Sequence, residues 1–156
     1  MKRGFTIMEL LIYMGLTAIL LVVLTDIFVS ILGVQSESTA SSSVEQDGRY
    51  ILARLSYDLP RASAIVNPSG LGQAATSSAI LTIDGANYTY DGSTGNLLMG
   101  TDQLNSFGTR ISNLTFQRLG NAGGKNDLQI RFRLTSRINQ RKGSETRDFQ
   151  ITLGQR

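Results

Sequence analysis

Residues 10–25 carry no charged side chain, and the wider span 5–32 carries only Glu9 and Asp26. A helix of about 20 mostly apolar residues crosses the hydrocarbon of a bilayer. At about 1.5 Å per residue, this span covers that distance with a turn to spare at each end. A core helix of a soluble domain shows a polar stripe. Here Leu10, Leu11, Ile12, Met14, Leu16, Ile19, Leu20, Leu21, Val22, Val23 and Leu24 leave no such stripe. Lys2 and Arg3 precede the run, and Glu37, Glu45 and Asp47 follow it. Positive charge stays on the cytoplasmic side, so the expected orientation is N-terminus inside and the long C-terminal part outside. A cleaved secretory signal also begins with basic residues, but its apolar region is about 7–15 residues long and ends in small residues. This run is longer, and Asp26, Ile27, Phe28 and Val29 make a poor cleavage context. A retained anchor is the expectation.

Composition narrows the chemistry. Among 156 residues there is no His, no Cys and no Trp. Disulfides, thiolate nucleophiles and Cys-based metal sites are thereby excluded. The commonest general base and the commonest metal ligand are missing too. The hydrophobic share of 41% averages a nearly pure apolar anchor with a rather polar remainder.

The start of the anchor reads Lys2, Arg3, Gly4, Phe5, Thr6, Ile7, Met8, Glu9, Leu10, Leu11. It combines a basic leader, a Gly-Phe step, a hydroxyl residue, two apolar residues, a lone Glu and a long apolar run. This resembles the N-terminal signature of type IV prepilins and pseudopilins over residues 1 to about 33. The resemblance implies cleavage by a prepilin peptidase between Gly4 and Phe5 on the cytoplasmic side, with methylation of the new terminus at Phe5. It also implies that Glu9 pairs with the Phe5 amine of a neighbouring subunit and sets the axial register. A glycine before the cut lets the backbone approach a protease closely. A lone carboxylate at the edge of hydrocarbon needs a partner, and no Lys or Arg lies nearby once the leader is gone. The bland reading is that Glu9 snorkels to the headgroups. Asp26 reads as an interfacial residue in water. Many pilins have Pro near that position, whereas here the first Pro is Pro60, which makes a melted helix segment less expected. The partners implied are sibling subunits, the peptidase, an inner-membrane assembly platform, and the lipid bilayer before assembly. Without Lys2 and Arg3 the fifteen basic residues become thirteen against twelve acidic ones, a formal +1, so the overall basicity does not argue for a polyanion.

Beyond the anchor, residues 36–43 are Ser-rich and read alone as a linker. Helical spacing then returns at Val44, Ile51, Leu52, Leu55 and Leu59, one face of a helix. Arg54 and Asp58 stand at i and i+4 and suit a weak pair. The expectation is one helix from about residue 5 to about residue 59, ended by Pro60. Its last turns also resemble the minor subunits of the J or W type.

After residue 66 the pattern changes to short alternating runs separated by Gly, Asn and Asp. Strands are expected at residues 79–83, 88–90, 97–99, 111–117, 128–134 and 149–153. The turn after 83 contains Asp84-Gly85, which suits unusual backbone angles. The expected organisation is a leader (1–4), a transmembrane or filament-core helix (5–33), its amphipathic continuation (34–60) and a head (61–156). The fold class is α+β, a long N-terminal helix packed on an antiparallel sheet.

Candidate chemistry beyond packing is thin. Residues 118–156 hold nine basic and three acidic side chains. Arg131, Arg133 and Arg137 are expected on one strand face, with Arg141 and Lys142 in the next loop. Such a patch suits DNA phosphates or a subunit contact. Aromatic side chains for base stacking are not interleaved on that face, and Asp148 and Gln150 are expected opposite the arginines. Asp84, Asp91, Asp102 and Asp127 lie in turns that explain them without calcium. No phosphate-binding glycine loop occurs. The expectation is a structural subunit of a type IV pilus or type II secretion pseudopilus, not an enzyme, with no metal or cofactor. The rival readings are a DNA-binding minor pilin for DNA uptake and a generic single-pass membrane protein.

Overall fold

One helix dominates the computed structural model, which describes residues 6–70, 74–75, 80–120, 126–140 and 143–155. The leader, the Gly4–Phe5 step, the turn at 121–125 and the basic pair Arg141 and Lys142 lie outside the described residues. Helix α1 runs Ile7–Asp58, 52 residues, about 78 Å at the standard rise. A single 3-10 turn, Leu59–Arg61, follows, with Pro60 in its first positions. Pro60 ends the α-helix as expected, because its ring excludes a continuing i to i−4 bond.

The Ser-rich stretch is helix, not linker. Its hydroxyls turn back onto the preceding turn: Ser36 Oγ donates to Gly33 O at 2.8 Å, Thr39 Oγ1 to Gln35 O at 2.9 Å, and Ser43 Oγ to Thr39 O at 2.8 Å. Short polar side chains thus satisfy themselves on the helix instead of competing with it.

The second half of α1 buries Ala40, Val44, Gly48, Ile51 and Leu55, with Leu59 just beyond. Steps of three and four put these on one stripe. Two antiparallel sheets pack against it, where one was expected. The first contains β1 (Ile65–Asn67), β3 (Ile80–Ile83), β4 (Ala86–Asp91), β5 (Asn96–Met99) and β6 (Asp102–Gln103), in the order β1-β3-β4-β5-β6. The second contains β2 (Ala74–Ala75), β7 (Thr109–Gly120), β8 (Asn126–Ser136) and β9 (Thr146–Gly154), in the order β2-β7-β8-β9.

The break between the sheets has a local cause. After β6 the chain turns through Asn105, which is buried. The Asn105 amide accepts from Leu97 N at 2.9 Å and donates to Thr109 O at 3.2 Å. The chain therefore leaves the first sheet and begins β7 in another. Bonds still bridge the sheets, among them Ile111 N donating to Gly95 O at 2.8 Å and Tyr90 Oη to Ile111 O at 3.0 Å.

Local residue choices set the strands. The β3–β4 hairpin closes on Ile83↔Ala86 around Asp84 and Gly85, both at positive φ (43° and 84°). Two consecutive positive φ values are what a two-residue hairpin needs. In β7, Asn113 has φ 52° at a register shift between Ser112 and Thr115. This bulge inserts one residue, so that Ile111, Leu114 and Phe116 all face the core. In β8, Leu128, Ile130, Phe132 and Leu134 are buried while Arg131 and Arg133 are exposed.

Candidate functional site

The feature that demands a function is the first half of α1. From Ile7 to Val34 the large apolar side chains are exposed: Ile7 83%, Leu16 64%, Ile19 68%, Val34 65%. No residue of its most apolar window is buried inside the chain, and the helix is long and apolar enough to cross a membrane. Exposed apolar area on this scale needs lipid or another protein to cover it.

The helix begins with a cap that the sequence carried as a recognisable pattern. Thr6 is the N-cap, and its Oγ1 accepts from Glu9 N at 3.2 Å. The Thr6-x-x-Glu9 spacing is that of a capping box. The Thr and Glu of the N-terminal motif therefore have a local structural use that reading the motif for processing alone overlooked. Only the Glu9 backbone is engaged. Among the described residues its carboxylate makes no hydrogen bond or ion pair. It stands in the first turn, where the helix dipole favours negative charge.

Three carboxylates on the second half of α1 hold the head to the helix. Glu45 pairs with Arg49 at 2.8 Å on its own helix and with Arg147 on β9. The Arg49 bond first, and then the charge of Arg147, holds its carboxyl below the usual range. Asp47 accepts from Ser106 N at 2.8 Å, from Ser106 Oγ at 2.7 Å and from Thr109 Oγ1. Asp58 accepts from Arg54 Nε at 2.9 Å and from the hydroxyl of Tyr88 on β4. Burial, followed by that bond to Asp58, pushes the Tyr88 phenol up, so it remains a donor at neutral pH. The expected Arg54–Asp58 pair is present, and it forms half of a contact between helix and sheet.

Gly48 allows the closest approach. A Cβ there would lie 2.1 Å from Phe149 Cζ. Phe149 in turn stacks on Phe132 with ring centroids 5.3 Å apart. The helix backbone therefore rests on an aromatic ring of β9.

The basic face is divided. The register pairs Arg133 with Asp148 and Arg131 with Gln150, the arrangement expected from the sequence. Arg133 Nε and Nη2 reach the two Asp148 oxygens at 2.7 and 2.9 Å. This bidentate pair raises Arg133 and lowers Asp148 from their ordinary pKa values. Arg137 is not on that face. β8 ends at Ser136, and the Arg137 guanidinium donates to Thr109 O at 3.1 Å and Thr94 O at 2.7 Å. It ties the start of β7 to the β4–β5 turn.

Of the aspartates expected in turns, Asp84 lies in the β3–β4 turn, whereas Asp91, Asp102 and Asp127 fall on strands β4, β6 and β8. Asp84 accepts from Ser63 Oγ at 2.7 Å, from Ser63 N, and from Ala64 N at 3.1 Å, which lowers its pKa. Asp91 accepts from Ser93 Oγ at 2.6 Å and Thr94 Oγ1 at 2.8 Å, and these bonds bring its pKa down to about 2. Among the described residues no three His, Cys, Asp or Glu side chains gather as a metal site. Scanned against protein-family models, curated proteins and solved structures, the chain gives no match in any of the three.

Proposed function

We propose that this chain is a structural subunit of a type IV filament, a type IV pilus or a type II secretion pseudopilus, closest in kind to a minor subunit of the J or W type. The observation that carries the reading is one unbroken helix in two environments. Its first half buries no residue of its most apolar window inside the chain, while its second half is the spine of the head. A helix of that kind holds the head on a membrane as a monomer and can pack against sibling helices in a filament core. The motif from Lys2 to Leu11 supports the same reading. On it, the N-terminus is cytoplasmic, the head is periplasmic or extracellular, cleavage follows Gly4, and Phe5 is methylated. The subunit works by assembly and not by catalysis. The Glu9 carboxylate, unpaired among the described residues, suits the register-setting role.

Two measurements test this. Mass spectrometry of the membrane-expressed protein with an active prepilin peptidase should give a mass beginning at Phe5; an intact Met1 would sink the processing step. Glu9→Val should insert in the membrane at normal levels but fail to enter filaments. A Glu9→Val protein that enters filaments like wild type overturns the register-setting role of Glu9, and a wild-type chain that enters no filament leaves only the reading as a generic single-pass protein.

A further inference from the structure

Charge is divided along this chain in a way that its near-neutral total conceals. Residues 5–48 hold five acidic side chains and no Lys or Arg, while residues 49–156 hold thirteen basic and seven acidic ones. Of the five, Glu9 stands in the first turn of α1, and Glu45 and Asp47 are bonded to the head. Asp26 and Glu37 are exposed and have no ion-pair partner among the described residues. They stand eleven positions apart on an unbroken helix, about three turns, and so share one face. Ser30 and Gly33 lie between them on that face. It continues, below the head, the stripe Ala40, Val44, Gly48, Ile51 and Leu55 that the sheets cover.

The opposite face of the upper half is basic and aromatic. Gln46, Arg49, Tyr50, Ala53 and Tyr57 are exposed on the side of α1 away from the buried stripe, and Arg61 follows in the 3-10 turn. Tyr50 is 55% and Tyr57 56% exposed. The Arg61 guanidinium lies 3.6 Å over the Tyr57 ring and donates to Tyr57 O at 3.3 Å. Arg61 has no acidic partner among the described residues, and the Arg49 side chain is 77% exposed beside Glu45. Tyrosine and arginine on a solvent face are the residues that carry most binding energy in protein interfaces. Arg49 and Arg61 stand twelve positions apart, close to the spacing of Asp26 and Glu37.

We infer that a second copy of this chain joins the two faces, parallel to the first and displaced along the helix axis. Arg49 of one copy meets Asp26 of the next, and its Arg61 meets Glu37 of the next. Arg49 is 23 positions from Asp26, and Arg61 is 24 from Glu37. Each guanidinium reaches back one turn, to Glu45 and to Tyr57 O, so the displacement is about 20–24 residues, or about 30–36 Å. Gly33, where an added Cβ would meet nothing within 4 Å, then falls opposite the segment from Ala53 to Tyr57 and leaves room for the ring. The buried stripe from Ala40 to Leu59 gives the head a height of about 30 Å along the helix. Copies displaced by that much stack head under head without collision. Parallel copies in register would set acid against acid and arginine against arginine, a juxtaposition that disfavours the wrong pairing. This inference rests on the membrane-anchored part of the reading above, which gives all copies one orientation, and it names the partner as the chain itself.

The chain has no Cys, so introduced cysteines report contacts without background. Two full-length copies with different tags are co-expressed in membranes with the filament machinery, one carrying Gly33→Cys and the other Ala53→Cys or Tyr57→Cys. A disulfide needs Cβ atoms about 4 Å apart, so oxidation reads the displacement to within a turn. The mixed dimer should form with Ala53→Cys or Tyr57→Cys, and no variant should link to itself. Glu37→Arg in the Gly33→Cys copy should cut the mixed dimer about fivefold, the scale of one exposed ion pair. Arg61→Glu in the other copy should restore it, which a merely structural role would not do. Self-linked dimers in place of mixed ones overturn the inference, as does the absence of any link. So does a mixed dimer indifferent to Glu37→Arg, or one that the charge swap fails to restore. If the wild type still enters filaments in those cases, the filament reading stands and the partner is a different subunit. A wild type that forms the mixed dimer but enters no filament overturns the filament reading and leaves the staggered contact.

Discussion

Gly48 sets the head on its helix, and Asp91 holds a turn within the head. A glycine inside a helix ordinarily weakens it. In the fold Gly48 marks where the helix backbone meets Phe149, so any side chain there displaces the ring. Gly48→Leu is expected to destabilise the head by about 1–3 kcal/mol, the usual cost of overpacking. Phe149→Ala in the same chain should recover part of that loss in a double-mutant cycle. An unchanged thermal midpoint for Gly48→Leu would contradict the close contact. Asp91 carries an acid-sensitive bond set. Its pKa is depressed to about 2 by Ser93 and Thr94, whereas the unfolded value lies near 3.9. A depressed acid contributes stability above its unfolded pKa and loses it as the pH falls through the folded one. The thermal midpoint of the chain in detergent should therefore drop between about pH 4 and pH 2. Asp91→Asn should shallow that slope, and a slope identical to wild type would show that Asp91 contributes none of it.

The elements were legible to different degrees, for identifiable reasons. The helix, the Asp84-Gly85 hairpin and the long strands β8 and β9 follow directly from periodicity and turn chemistry. β1, β2 and β6 are two or three residues long, too short for alternation to register. β7 is legible only in part, because the bulge at Asn113 breaks the period of two that identifies a strand. The Ser-rich segment taken alone has the composition of a linker, yet the expected single helix runs through it, because its hydroxyls bond back onto the helix. Arg137 was expected on a strand face and instead ties the start of β7 to the β4–β5 turn, a role that depends on carbonyls 28 and 43 positions away. Between elements, the Asp58–Tyr88 bond is the test of how α1 holds the first sheet. Tyr88→Phe should cost about 1–3 kcal/mol, since it leaves a partly buried carboxylate short of a donor. Urea denaturation in detergent would measure it, and a loss within error of zero would move the anchoring elsewhere.

At the scale of the molecule, two halves of one helix live apart. The buried residues named for α1 begin at Ala40, and residues 7–34 add none to the core. Removing residues 1–33 is therefore expected to give a detergent-free, monomeric head with the near-native thermal midpoint of the full chain. Aggregation or a large drop in that midpoint, by light scattering and calorimetry, would mean that the apolar half supports the head after all. The helix cannot be trimmed much further. A head of under a hundred residues buries too little surface by itself, and the stripe from Ala40 to Leu59 is one wall of its core.

The sequence by itself determined the apolar half of α1, the point at which Pro60 stops it and the α+β class. Each depends on neighbours within a few residues, through hydrogen-bond period, ring closure or side-chain alternation. The tertiary structure alone decided the split into two sheets, the contact between Gly48 and Phe149, and the use of Asp47 and Asp58 as clamps. Those rest on groups dozens of positions apart, from about 30 for Asp58 and Tyr88 to about 100 for Gly48 and Phe149. Which of them meet is set by the packing of the whole head, and no local pattern encodes it.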